Sequence, residues 1–110
     1  MKKFIALYKA PAEVMANTVE PNQEEQAAAM QAWLNWRDNN IDHIVDFGAP
    51  LLPGNNLNGK GGWQASATEI GGYSILQGES AEAVQALFQD HPHLNWQPGC
   101  SIELQEFKAM

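Results

Sequence analysis

The chain has 110 residues, 45% of them hydrophobic, which fits one domain with a core and is too apolar for a disordered segment. Six basic residues stand against 13 acidic ones, a net charge of −7. Arg37 is the single arginine, whereas nucleic-acid grooves and anionic-membrane surfaces need clustered Lys and Arg, so neither is an expected partner.

Residues 3–9 are aromatic and branched and end at Ala10-Pro11, which reads as a first strand. The apolar run stops at Lys9, short of the roughly 7–15 residues of a secretion-signal core. Residues 11–22 hold two prolines and two asparagines and read as a connector. Asn22 is then a helix N-cap with Glu25 three residues on, and Glu24 and Glu25 suit the positive end of the helix dipole. The spacing of Ala27, Met30, Trp33, Leu34 and Arg37 predicts a helix to about Asn40. Trp33 sits on its apolar stripe, as packing. Trp36 lies about 60° off it, as a partly exposed or interface residue.

Residues 43–48 read as a second strand, with Val45 and Phe47 on one face and Ile44 and Asp46 on the other. Residues 50–62 are rich in Gly, Pro and Asn and read as a long loop. Gly59-Lys60-Gly61-Gly62 within it is not a phosphate loop, because no Ser/Thr follows the lysine and no helix starts there. Residues 63–68 alternate weakly, as a short extra strand. Residues 73–77 read as the third main strand. Ser80 caps a second helix with Val84, Leu87 and Phe88 inward, ending near Asp90 ahead of Pro92. Gly99 precedes a last strand over 101–107, with Ile102 and Leu104 toward the helices and Glu103, Gln105 and Phe107 away. Cys100 is the one cysteine, so no internal disulfide or thiol pair for a metal exists, and a reducing cytoplasm is the expected setting. No stretch approaches the roughly 18 apolar residues of a membrane span.

The order β-α-β-(β)-β-α-β predicts a single α+β domain over 1–110, a ferredoxin-like βαββαβ subunit with both helices on one face of the sheet. The first strand is apolar on both parities. A sheet covered on one side only would leave several hundred Å2 of such surface wet, at roughly 25 cal/mol per Å2. A homodimer packed sheet to sheet is the expected remedy.

The segments Thr68-Glu69-Ile70-Gly71-Gly72-Tyr73-Ser74-Ile75-Leu76, Glu79-Ser80-Ala81-Glu82-Ala83 and His91-Pro92-His93-Leu94, with Ile102-Glu103-Leu104 last, resemble the YCII-related family, and in it the DGPF-type branch. Residues 66–106 carry most of the likeness, and residues 1–50 share its layout. The resemblance implies a dimeric α+β barrel built from ferredoxin-like subunits, and for some members cofactor-free catalysis by a His/Asp pair. This chain has no histidine in its first helix, holds His91 where those members place aspartate before the proline, and lacks the DGPF tetrapeptide.

His91 and His93 flank Pro92 beside Asp90 and are the first candidates for acid/base work; the alternative is favourable placement at a helix C-terminus. His-x-His offers two metal ligands and no third, so no metal is expected, and no cofactor. Asp46 is a candidate base, its charged form disfavoured if a dimer shields it. Glu69, Tyr73, Glu103 and Trp63 are candidates for binding a small molecule. Trp63 and Trp96 read either as pocket walls or as anchors of their loops. The expected function is small-molecule binding in a cavity at the dimer's sheet face, with or without catalysis.

Overall fold

The structure is a computed structural model that describes residues 1–17, 21–66 and 68–110. Its elements are β1 (Lys2–Lys9), α1 (Ala12–Asn17), α2 (Gln23–Asn39), β2 (Ile44–Pro50), β3 (Asn55–Leu57), β4 (Trp63–Ala65), β5 (Ile70–Gly78), α3 (Ala81–Gln85) and β6 (Ser101–Glu106). The main sheet runs β2-β5-β1-β6, and each neighbouring pair is antiparallel. β1 and β2 are therefore parallel to one another across β5, as β5 and β6 are across β1. This is the split βαβ arrangement, with α2 and α3 as the crossovers.

The register sorts the side chains. Phe4, Ala6 and Tyr8 of β1 are buried with Ser74 and Leu76 of β5 under the helices. Trp36, Val84 and Phe88 close that core from the helix side. The opposite parity carries Ile5 and Leu7 of β1, Tyr73 and Ile75 of β5, and Glu103 and Gln105 of β6. This second face has no layer over it among the described residues.

Asn22 caps α2 as its sequence suggests, its Oδ1 accepting from the Glu25 N–H at 2.8 Å and its amide donating to Glu25 Oε1 at 2.9 Å. Ser80 caps α3 through Ala83 N–H at 3.1 Å. Four expectations are corrected. The connector begins with a one-and-a-half-turn helix, α1, because the Pro11 carbonyl accepts from the Val14 and Met15 N–H groups; residues 18–20 of that stretch lie outside the described residues. The second helix is α-helical only to Gln85 and tightens to a 3-10 turn over Ala86–Phe88. The 50–62 loop contains a strand, β3, which pairs in a hairpin with β4, the expected short extra strand, and the Asn58 side chain turns its tip by accepting from Lys60 and Gly61 N–H; Ala67, beyond it, lies outside the described residues. β2 is bulged between Ile44 and Asp46 and between Asp46 and Ala49, so simple alternation fails: Ile44 and Phe47 both pack on the core while Val45 is exposed.

Of the two tryptophans of α2, Trp33 packs against the core as expected, and Trp36 is corrected. Trp36 is 7% exposed and its Nε1–H donates to the Leu87 carbonyl at 2.8 Å. Trp33 is half-buried beside it. A hydrogen-bond partner on the next segment decides what helical spacing alone misplaced.

Candidate functional site

β1 ends, β5 begins and β2 runs out at the same end of the sheet. There α1 and α2 stand off the helix side and leave a cavity of about 570 Å3. Tyr8, Trp33, Phe47, Met30, His93 and Trp96 supply most of its character, with Gly48, Pro50, Gly71 and Gly72 forming the backbone wall. Two features keep it open. Gly72 has no side chain, so Tyr8 lies against bare backbone. Gly48 has φ 81°, and a Cβ there would overlap the Tyr73 carbonyl. None of the described residues lining the cavity is Asp, Glu, Lys or Arg.

His93 is the titratable group most directly placed in this wall. It sits in the 3-10 turn Pro92–Asn95, is 6% exposed, and its Nε2 lies 2.8 Å from the Lys9 carbonyl. A carbonyl only accepts, so Nε2 carries the hydrogen of the neutral ring and Nδ1 keeps a lone pair. Nδ1 has no partner among the described residues.

His91 stands one layer behind. It is 0% exposed, and its Nδ1 accepts the His93 backbone N–H at 3.0 Å, which fixes Nε2–H as its tautomer. That Nε2–H has no hydrogen-bond partner. The ring is stacked on Tyr8 at 5.0 Å and meets Trp33 and Trp36 edge-on at 4.5 Å each. Burial disfavours its charged form, the nearby His93 adds to this, and its pKa falls to about 3. It does not line the cavity.

Tyr8 spans the two histidines, 5.5 Å from the His93 ring. Its hydroxyl lies 2.8 Å from Ser74 Oγ, and Ser74 Oγ–H donates to the Phe47 carbonyl at 2.6 Å. With the serine proton committed, Tyr8 is the donor of that pair. Burial pushes its pKa up to about 12, against the smaller opposing effect of Ser74, so the phenol keeps its proton.

The remaining candidates fall in three places. Tyr73 borders the cavity, and its hydroxyl donates to Asp46 Oδ2 at 3.2 Å. Accepting that bond, and carrying the negative charge, Asp46 raises the Tyr73 pKa. Asp46 itself is exposed, on the uncovered face opposite Ile75, with Oδ1 taking the Gly48 N–H at 2.9 Å. Glu103 shares that face on the other edge strand and pairs with Lys9 at 3.5 Å. Three strand spacings, about 14 Å, separate the strands that bear the two carboxylates, so they form no pair. Glu69 is exposed and offers only its carbonyl, to Ala10 N–H. Trp63 is 68% exposed on the hairpin opposite Leu57 and is not part of the cavity wall. Among the described residues no group of three His, Cys, Asp or Glu is placed to hold a metal ion.

Sequence reasoning missed Tyr8, Gln26 and Phe47 as cavity residues. β1 is apolar on both parities, so its sequence carries no sign that the Tyr8 side faces the helices. The bulges that turn Phe47 inward have no signature beyond Gly48.

No protein-family model matches the sequence, and no curated protein matches it. Among solved structures, the chain is similar to 5-chloro-2-hydroxyhydroquinone dehydrochlorinase from Burkholderia phenoliruptrix, in complex with 2,5-dihydroxybenzoquinone. The TM-score is 0.54 at 16% identity, over 98% of this chain and 94% of that one. The chain has the α+β, ferredoxin-like fold of the subunits from which dimeric α+β barrels are built. The ferredoxin-like topology and a sheet with one uncovered face are the parts of that fold already visible in the register.

Proposed function

We propose that this protein binds a small, largely apolar and planar molecule in the helix-side cavity, with His93 as the group that takes or returns a proton. The observation that carries the reading is the pairing of an aromatic-walled cavity with a histidine whose Nε2–H is committed and whose Nδ1 is not. Aromatic walls favour flat rings through stacking and edge contacts, and a cavity of about 570 Å3 is within the usual range for small-molecule sites. The structural neighbour's bound dihydroxybenzoquinone is a molecule of that kind. In this reading the site lies under the helices of each subunit rather than at the sheet face, and Tyr73 flanks it. His91 keeps its place behind His93 as a positioning residue. The Tyr73–Asp46 pair and Glu103 belong to the uncovered face, where a second copy packs in a homodimer. The reading needs no cofactor: a base, a buried phenol and an apolar wall suffice for proton transfer on an activated ring. Membership of the YCII-related family and a cytoplasmic setting complete the proposal, supported by the ordered segments over 66–106 and by the lone cysteine.

A thermal-shift screen of metabolites against wild type and His93→Ala tests it. Aromatic ligands that stabilise the wild type are expected to lose most of their effect in the variant. Stabilisation only by ligands that leave the cavity residues untouched, read from indole NMR signals, would contradict it. A non-catalytic binding module is the second reading, favoured by the absence of a histidine from α2; ligand stabilisation without turnover distinguishes it.

A further inference from the structure

The hydrogen atoms around the cavity can be assigned one by one, and the assignment has a direction. His93 Nε2–H goes to the Lys9 carbonyl, which leaves Nδ1 as an acceptor. Gln26 Nε2 donates to the Pro21 carbonyl at 2.7 Å, which leaves Oε1 as an acceptor. The Tyr8 proton is committed to Ser74 and the Tyr73 proton to Asp46. Among the described residues the remaining side-chain donors are the second Gln26 amide hydrogen and the indole N–H groups of Trp33 and Trp96, and all are neutral. No Lys or Arg lines the wall among the described residues, and the chain as a whole carries −7.

We infer that the cavity selects neutral hydroxyl-bearing aromatics, with the ligand's O–H donating to His93 Nδ1, and rejects aromatic carboxylates and phosphates. This rests on the proposed binding site and adds the sign and proton sense of what enters it. A ligand hydroxyl satisfies an acceptor that an apolar ligand would leave unpaired, a difference of roughly tenfold in affinity, or about 1.4 kcal/mol. A carboxylate entering the same wall loses water and finds no cation. If the bound hydroxyl ionises, its proton moves to His93 Nδ1 and the ring becomes imidazolium. Nε2–H stays on the Lys9 carbonyl, and the oxyanion faces the cation just formed. Charge is conserved within the cavity, and no outside reagent takes part.

The test is an NMR titration of the wild-type protein with phenol, anisole and benzoate at neutral pH, following the four tryptophan indole N–H signals. Phenol is expected to bind about tenfold more tightly than anisole, although anisole is the more apolar, and benzoate more weakly than either. His93→Phe is expected to remove the preference for phenol. The wild-type comparison decides the matter even if that variant does not fold. Equal binding of phenol and anisole, or tighter binding of benzoate, would overturn this inference and leave the binding site standing. Failure of all three to shift the Trp33 and Trp96 signals would overturn the site and the inference together.

Discussion

His91 and His93 are two residues apart and do opposite things. Pro92 holds His91 extended and starts the 3-10 turn, so the first ring goes into the aromatic core and the second into the cavity wall. A neutral histidine buried in this way ties stability to pH. With an ordinary imidazole near 6.5 in the unfolded chain and about 3 in the folded one, the unfolded state binds the extra proton as pH falls below 6.5. The stability from this group is fully present above pH 6.5 and drains away as pH falls toward 3. Urea unfolding is expected to show a loss of about 3 kcal/mol from this residue between pH 7 and 4.5. His91→Phe should flatten that slope; the same slope in the variant would place the acid sensitivity elsewhere. The His-Pro-His segment was legible in the sequence as a candidate. Its division of labour was not, because it depends on Tyr8, Trp33 and Trp36 arriving from other elements.

At the scale of elements, the helix caps, the order of strands and the parity of β6 were legible, since each rests on local chemistry or period-two alternation. β2 was not, because bulges are set by its partner β5 and not by its own letters. Gly48 is where that bulged geometry can be tested. Its positive φ and its approach to the Tyr73 carbonyl leave no room for a methyl group, so Gly48→Ala is expected to cost more than about 2 kcal/mol in denaturant unfolding. The N-cap of α2 offers a gentler test. Asn22→Ala should lower stability by about 1 kcal/mol and weaken any cavity ligand, because α2 carries Trp33 and Met30 over the site. Unchanged stability would mean the cap hydrogen bonds are not held in solution.

The whole molecule is a slab, 44 × 41 × 20 Å, with a radius of gyration of 15.4 Å against about 13 Å for a compact chain of this length. One sheet and one helix layer account for the thin dimension. The uncovered side, centred on Ile5, Leu7 and Ile75, is where the proposed second copy would complete the layer. Light scattering is expected to give twice the 12.1 kDa chain mass, and Leu7→Glu, which sets a charge in the middle of that side, is expected to return it to one chain. A wild type of one chain mass at micromolar concentration would refute the dimer. The sequence shows that β1 is apolar on both sides, which is what motivates the proposed pairing. It placed a binding cavity in that union, whereas the site proposed above is the cavity on the helix side of the sheet, formed by bulge, cap and short helix together. A crystal structure with phenol bound tests this most directly. The account predicts the ring beneath α2 with its hydroxyl within hydrogen-bond distance of His93 Nδ1; a ring held on the Ile5–Leu7–Ile75 side would contradict it.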